Sequence, residues 1–373
     1  MTSIGGAEMV DWNLAVATAT RLVRPGPEVS RDEARAVVAE LRRHAKASEQ
    51  HVRGFTRMGT DGIHDTPILV VDRPGWVRAN VAGFREVLKP LLDKMQERRG
   101  NTPGGAVFGA VGGKVTGVEL GMLLSFLSSR VLGQYETFAP ASRELPAGAK
   151  GGRLLLVAPN IVHVERELDV QPHDFRLWVC LHEETHRTQF TTVPWLRDHL
   201  EGEIQSFLGE TEVDPMTVLE RIREAAQSLA GGRPEGEEDD EGRSLVEIVQ
   251  TPAQREILGR LTAVMSLLEG HADFVMDGVG PDVVPSVAEI REKFQQRRAK
   301  GASRLDSALR KLLGLDAKLR QYRDGERFVR AVVEQVGMDG FNRVWTSPNT
   351  LPTKTEIAKP ADWVARVHRK AES

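Results

Sequence analysis

The chain has 373 residues, a formal net charge of −3 and a hydrophobic content of 40%. This length is enough for two or three ordinary domains, or for one enzyme domain with insertions. Because basic and acidic residues nearly balance and are interleaved, neither nucleic acid nor an anionic membrane is expected as a partner. The single cysteine, Cys180, excludes an internal disulfide framework and is typical of a reducing compartment.

Two segments bear on where the protein works. The N-terminus lacks a basic stretch followed by an uninterrupted apolar run, so no secretory signal peptide is predicted. The most membrane-like segment, Gly105 to Leu127, is interrupted by Lys114 and Glu119 and is rich in glycine. This pattern favours close helix packing over a bilayer span. We therefore predict a cytoplasmic protein with no membrane partner.

The first 150 residues predict mostly helices. Ser30 followed by Glu33 resembles a capping box at the start of a helix. The predicted elements are two helices within 11–57 that separate at residues 25–27, a strand at 66–71, and helices at 76–98 and 117–134.

The remaining residues also predict mainly helices. Pro172 suits the first turn of a helix that runs to about Phe190. Residues 231–242 are dominated by acidic side chains and predict a flexible loop. The predicted elements are a strand at 153–157 and helices at 172–190, 196–208, 215–230, 252–276, 286–300, 303–313 and 325–336. The fold class is therefore α+β, predominantly helical, with two to four short strands.

The most informative sequence is His182-Glu183-Glu184-Thr185-His186, an HExxH pattern inside a predicted helix. Histidines four residues apart lie on one helix face, one turn apart, so both imidazoles can bind a single metal ion. Glu183 is rotated by about 100° from His182, where it can hold a metal-bound water without binding the metal. Glu184 is expected to face away from the metal into solvent. The pattern predicts a zinc hydrolase.

A catalytic zinc site needs a third protein ligand. The metzincin pattern would place glycine and histidine three and six residues after His186, but Gln189 and Thr192 occupy those positions. We predict Glu269 instead, because a carboxylate in an otherwise apolar helix needs a partner. Asp273, one turn later, can accept the second ring N–H of a zinc-bound histidine.

Alternatives to this ligand set remain. His271 is the rival to Glu269, and it lies about 200° away around the helix, so both cannot bind the metal. Glu269 and Asp273 could also form a solvated helix face. Three further histidines, His163, His173 and His199, are interpreted as surface or core residues.

These motifs resemble a known family. Residues 178–197, which contain HExxHxxQF followed by Val193-Pro194-Trp195, and the segment Glu269 to Asp277 are similar to zincin-like metallopeptidases, a family also labelled as associated with biosynthesis of a deazaflavin coenzyme. Glu269-x-x-Ala272-Asp273 is also similar to the second motif of gluzincin peptidases. The resemblance runs from near Asp11 to the C-terminus. It implies a zincin-like fold, one zinc ion and peptidase activity.

The expected organisation and roles follow from these patterns. An N-terminal helical region at 1–150 and a zinc-binding region at 151–373 are expected to form one integrated unit. Glu183 would act as general base and acid on a peptide or small amide substrate. Tyr322 could stabilise an oxyanion, although a structural tyrosine is the simpler interpretation, and Gln189 could touch substrate or support a ligand. Arg297, Arg298 and His271 are weaker oxyanion candidates.

Two other functions stay open. The zinc could stabilise a binding or scaffold protein without hydrolytic activity. Alternatively, the substrate could be a non-peptide amide metabolite.

Overall fold

The computed structural model describes residues 9–59, 66–99, 105–138, 152–210, 252–299 and 315–368. The helices and strands in these residues are α1 (Trp12–Leu22), α2 (Arg31–Thr56), β1 (Ile68–Val71), α3 (Arg73–Arg99), α4 (Gly105–Ser128), β2 (Gly133–Glu136), β3 (Arg153–Val157), α5 (Ala158–Leu168), α6 (Pro172–Thr192), α7 (Leu196–Gly209), α8 (Pro252–Gly278), α9 (Val287–Ala299), α10 (Leu315–Phe341), α11 (Lys354–Ala358) and α12 (Pro360–His368). The predicted acidic loop at 231–242 and the helices at 215–230 and 303–313 lie outside the described residues.

The predicted class, predominantly helical α+β, is confirmed. Helix α2 starts where its capping residues predict, since the Ser30 hydroxyl accepts a hydrogen bond from the Glu33 N–H. One predicted helix was wrong at its end: α4 stops at Ser128, and Gln134 lies in strand β2. Pairing with β3, which comes from a distant part of the chain, decides this conformation over local helical periodicity.

The strands form one three-stranded sheet in the order β1-β3-β2. Strand β1 is parallel to β3, and β2 is antiparallel to it. Leu156 of β3 joins a core formed largely by α2, α5 and α6, whereas Leu155 and Val157 join a core formed by α1, α3 and α4. Because side chains alternate along a strand, both faces of β3 are covered by helices.

A buried polar network fixes the chain between the sheet and its helices. Asn160, in the first turn of α5, donates hydrogen bonds to the carbonyls of Ser128 and Val131, which lead into β2. The Arg73 guanidinium donates to the Asn160 side-chain oxygen at 2.6 Å. Helix α5 itself is not part of the sequence prediction, although Pro159 near its start is typical of a first helical turn.

The chain divides into two compact units, one comprising residues 1–197 and 272–294 and the other residues 198–271 and 295–373. The first unit contains the sheet and α6. In the second unit, Phe328 of α10 packs edge-on against Trp363 of α12, and the Trp363 indole donates to the Thr350 carbonyl at 2.8 Å. Helix α10 is kinked at Gly337, whose φ of 73° is readily adopted only by glycine.

None of the helices in the described residues combines the length and apolar content that a bilayer crossing needs.

Candidate metal centre

Helix α6 carries the HExxH sequence and is packed into the first unit along most of its length. Pro172 occupies its first turn, as predicted, and the helix continues to Thr192. Phe175, Trp178 and Leu181 are buried in the core that α6 shares with α2 and α5. This burial fixes the rotation of α6 about its axis and therefore the direction of its histidines.

The two histidines of the motif face each other. The Nε2 atoms of His182 and His186 are 3.2 Å apart. The Nδ1 atoms point to other groups: that of His182 lies 3.4 Å from an Asp273 carboxylate oxygen and 3.1 Å from the Met276 sulfur, and that of His186 lies 3.0 Å from the Gln189 amide oxygen.

These contacts favour the tautomer that carries hydrogen on Nδ1 in each ring. A carboxylate oxygen, a thioether sulfur and an amide oxygen are all acceptors, so we assign each Nδ1 as the donor. In neutral imidazoles the two Nε2 atoms then hold lone pairs that point at one another. Two zinc ligands with bonds of 2.0–2.1 Å in a tetrahedral site are separated by about 3.4 Å. The pair His182–His186 therefore fits a zinc ion bound by both Nε2 atoms.

The structure places the predicted third ligand on helix α8. Glu269 precedes Asp273 by one helical turn, so both side chains project from the same face of α8. His182 and His186 belong to the first compact unit and Glu269 to the second, so the role of Glu269 as the third ligand stays a prediction. His271, the rival candidate, is fully buried, and its ring packs against the rings of Phe341 and Trp345.

Glu183 is held close to strand β2. Its side chain is only 6% exposed. A Cβ atom added to Gly133, the first residue of β2, would lie 2.5 Å from the Glu183 Cγ. Only glycine at this position therefore leaves room for the Glu183 carboxylate. Sequence reasoning did not predict this contact, because Gly133 and Glu183 lie 50 residues apart on different elements.

The expectation that Glu184 is solvated was wrong. Glu184 is 1% exposed, and its carboxylate accepts a hydrogen bond from the Arg187 Nε at 3.0 Å. Arg187 also forms an ion pair with Glu49 of α2 at 2.9 Å. Burial raises the pKa of Glu184 to about 7, although Arg187 opposes the shift. A helix face opposite the metal can be buried in this way when a cation from the next turn accompanies the carboxylate.

The remaining predicted site residues are distributed as follows. Gln189 is fully buried and supports His186 through the contact given above. Tyr322 belongs to α10, but its side chain lies outside the described part of the chain, as does that of Arg298. Cys180 is fully buried, and burial raises the pKa of its thiol well above its ordinary value.

The chain is similar to known proteins along nearly its whole length. Residues 10–364 match the model of a family described as zincin-like metallopeptidase. The chain belongs to the zincin-like metallopeptidase family. This family assignment covers nearly the whole chain and implies zinc binding, and it confirms the resemblance seen in the sequence motifs.

A solved structure is also similar to this zincin-like chain. It is named "Crystal structure of a putative hydrolase with a novel fold from Chloroflexus aurantiacus" and has 30% sequence identity and a TM-score of 0.67. The match covers 97% of this chain and 100% of the other. A search of curated proteins finds no match.

Proposed function

We propose that this zincin-like protein is a zinc-dependent metallopeptidase that cleaves peptide bonds with Glu183 as general base. The observation that carries the proposal is the pair of opposed Nε2 atoms of His182 and His186, 3.2 Å apart, next to the buried Glu183 carboxylate. Zinc held by His182, His186 and Glu269 would act as a Lewis acid toward a carbonyl oxygen and a water molecule.

The protein's own groups would then handle the proton. The Glu183 carboxylate accepts a proton from the attacking water and delivers it to the leaving nitrogen of the amide. Contact with Gly133 restricts where that carboxylate can lie. Asp273 and Gln189 would hold the two imidazoles in the tautomer whose Nε2 lone pair can bind metal.

Strand β2 supports a peptide rather than a small metabolite as the substrate. It lies at one edge of the sheet and has β3 as its partner among the described residues. The edge of a sheet can bind an extended peptide through main-chain hydrogen bonds. Side chains alternate along β2: Gly133 contacts Glu183 and the Tyr135 ring stacks on Phe190 of α6, whereas the Gln134 side chain is fixed between Trp76 and Asn80 of α3.

A Glu183→Gln variant tests this function. We expect it to retain zinc and fold but to lose hydrolysis of a peptide library by about 10²- to 10⁴-fold, since it loses its general base. Glu201→Gln, on an exposed position of α7, is the control and should retain activity.

Two outcomes would contradict the peptidase assignment. If the unaltered protein at full zinc occupancy cleaves no peptide and no amide metabolite, a binding protein is the better interpretation. If it cleaves only small amides, and Glu183→Gln abolishes that reaction, the hydrolytic role of Glu183 stands but the substrate is a metabolite.

A further inference from the structure

A second histidine cluster lies at the other end of α6. Glu40 and His44 lie one turn apart on α2, and His173 lies in the first turn of α6. The possible ligand atoms of these three residues all lie within 4.8 Å of one another. The rings of His44 and His173 meet edge to face, with centroids 4.6 Å apart.

His44 has an unsatisfied nitrogen in this cluster. Its side chain is 9% exposed, and its Nε2 lies 3.4 Å from a Glu40 carboxylate oxygen, Oε1. The contact is close enough for a charge interaction, but its geometry is not that of a hydrogen bond, and the buried Nε2 has no hydrogen-bond partner. A buried polar atom without a partner costs roughly 1–3 kcal/mol, so its presence needs an explanation.

The separations in the cluster resemble those around a zinc ion. Glu40 Oε1 lies 2.9 Å from His173 Nδ1 and 3.4 Å from His44 Nε2. Ligands of a tetrahedral zinc ion with bonds of about 2.1 Å are about 3.4 Å apart. Glu40 Oε1 thus faces two imidazole nitrogens, one at the tetrahedral separation and one at the shorter distance of a hydrogen bond. A bound metal ion would replace that hydrogen bond and require a small rotation of His173.

The other oxygen of Glu40 is already fixed. The Arg176 guanidinium hydrogen-bonds to Glu40 Oε2 and also to both oxygens of the buried Glu165. Because one arginine is shared between two carboxylates, the group as a whole keeps a net negative charge when the histidines are neutral. Arg176 therefore orients Glu40 without cancelling the cluster's attraction for a cation.

The surroundings shift the pKa values of His44 and Glu40 in the same direction. Burial, together with the nearby His173, lowers the pKa of His44. Burial alone would raise the pKa of Glu40, but hydrogen bonds from Arg176 and His173 outweigh it and hold the pKa below its ordinary value. His173 is exposed, so the cluster is open to water on that side.

We propose that Glu40, His44 and His173 form a second zinc-binding site, which joins α2 to the first turn of α6. Two imidazoles and one carboxylate favour zinc over magnesium or calcium, which prefer all-oxygen ligands. Water completes the coordination on the exposed side of His173. With one ligand exposed, this site should bind zinc more weakly than the His182–His186 site.

Metal stoichiometry of the full chain tests the second site. The protein is stripped with a chelator and titrated with Zn²⁺ against a colorimetric competitor. We expect two zinc equivalents for the unaltered chain, one for His173→Ala and one for His186→Ala. His163→Ala, which removes an exposed histidine of α5, should still bind two and serves as the matched control.

Thermal unfolding supplies an independent readout, because His44 is buried and its replacement could prevent folding. Zn²⁺ should raise the Tm of the His186→Ala variant, and adding His173→Ala should remove that rise. One zinc equivalent for both the unaltered chain and His173→Ala would overturn the proposal. Equal losses in His163→Ala and His173→Ala would indicate an adventitious ion only.

The second site is also separable from the proposed peptidase activity. His173→Ala should keep hydrolysis unchanged, whereas His186→Ala should abolish it while still binding zinc at the second site. Absence of hydrolysis in every variant would contradict the proposed function and leave the stoichiometry result intact.

Discussion

The two histidine clusters on α6 differ in how the chain assembles them. His182 and His186 come from one helix, four residues apart, whereas His173 meets His44 of α2 across 129 residues of sequence. Along the axis of α6, His173 and His182 are separated by about 14 Å. Helical periodicity alone makes the first cluster visible in the sequence, but the second exists only because α2 packs against α6.

The supporting contacts differ too. In the first cluster, acceptors hold the histidines: Asp273 for His182 and Gln189 for His186. In the second, a donor holds the carboxylate, because Arg176 binds Glu40. The first arrangement fixes the direction of two lone pairs, which suits a catalytic metal. The second fixes one oxygen between two helices, which suits a stabilising metal.

Of the substitutions considered, replacement of Glu269 should produce the largest difference in zinc affinity between the two clusters. Glu269→Ala should weaken zinc binding at the His182–His186 site by more than about 100-fold, because removing a ligand costs more than removing a ligand's hydrogen-bond partner, which costs roughly 10- to 100-fold. The Glu40 cluster should be unaffected. Competition titration measures both affinities.

His271→Ala is the comparison for that variant. It should leave zinc affinity unchanged but lower the free energy of unfolding, because His271 is fully buried against Phe341 and Trp345. Weaker zinc binding in His271→Ala with unchanged binding in Glu269→Ala would reverse the ligand assignment.

Gly133 tests whether the first cluster is catalytic. Gly133→Ala would force a Cβ to within 2.5 Å of the Glu183 Cγ, so the carboxylate must move. Hydrolysis should fall by about 100-fold, as expected for a misplaced catalytic group, while zinc content at both clusters stays the same.

The control for this substitution is Gly54→Ala, in α2, where an added Cβ has no neighbour within 4 Å. It should keep activity and stabilise the helix by about 0.5–1 kcal/mol. Full activity in Gly133→Ala would show that the position of Glu183 does not depend on β2.

Asp273 tests the acceptor contact of the first cluster. Asp273→Asn should weaken zinc binding there by about 10- to 100-fold, since the amide is a poorer acceptor for the His182 Nδ1–H. Binding at the Glu40 cluster should not change. An unaltered affinity in this variant would show that the Asp273 carboxylate is not needed to orient His182.

The smallest expected effect is a pH dependence of folding stability. It arises from a buried carboxylate that accepts fewer hydrogen bonds than Glu40. Glu136 of β2 pairs with Arg153 at 2.5 Å, and one of its oxygens has no hydrogen-bond partner. Burial raises the pKa of Glu136 above its ordinary 4.5, although Arg153 opposes the shift. Folding therefore favours the protonated form, and the contribution of Glu136 to stability falls as the pH rises above about 4.5.

Chemical unfolding of Glu136→Gln across pH 4 to 8 measures this contribution. The free energy of unfolding of the unaltered protein, relative to the variant, should decrease with rising pH. An increase with pH would show that the Arg153 ion pair outweighs burial. Glu40, whose pKa is lowered, should show the opposite sign, with stability lost as the pH falls.

Local signals in the sequence were enough for several parts of the fold. The Ser30 cap, Pro172 in a first turn and the apolar run at 154–157 each predict an element whose main determinants lie within a few residues. Strand β2 and helix α5 were not predicted. Strand β2 forms because it pairs with β3, and α5 packs in the core with Leu156 of β3 and with α2 and α6.

The sequence by itself determined how the proposed zinc-binding pair and the proposed general base are arranged on α6. Four-residue spacing on a helix places His182 beside His186 and rotates Glu183 away from both, whatever surrounds the helix. Only the tertiary structure decided that Gly133 contacts Glu183, that Glu184 is buried with Arg187, and that His44 meets His173. These contacts join residues on different helices and strands, or depend on what covers a helix face, and periodicity along a single segment carries no information about them.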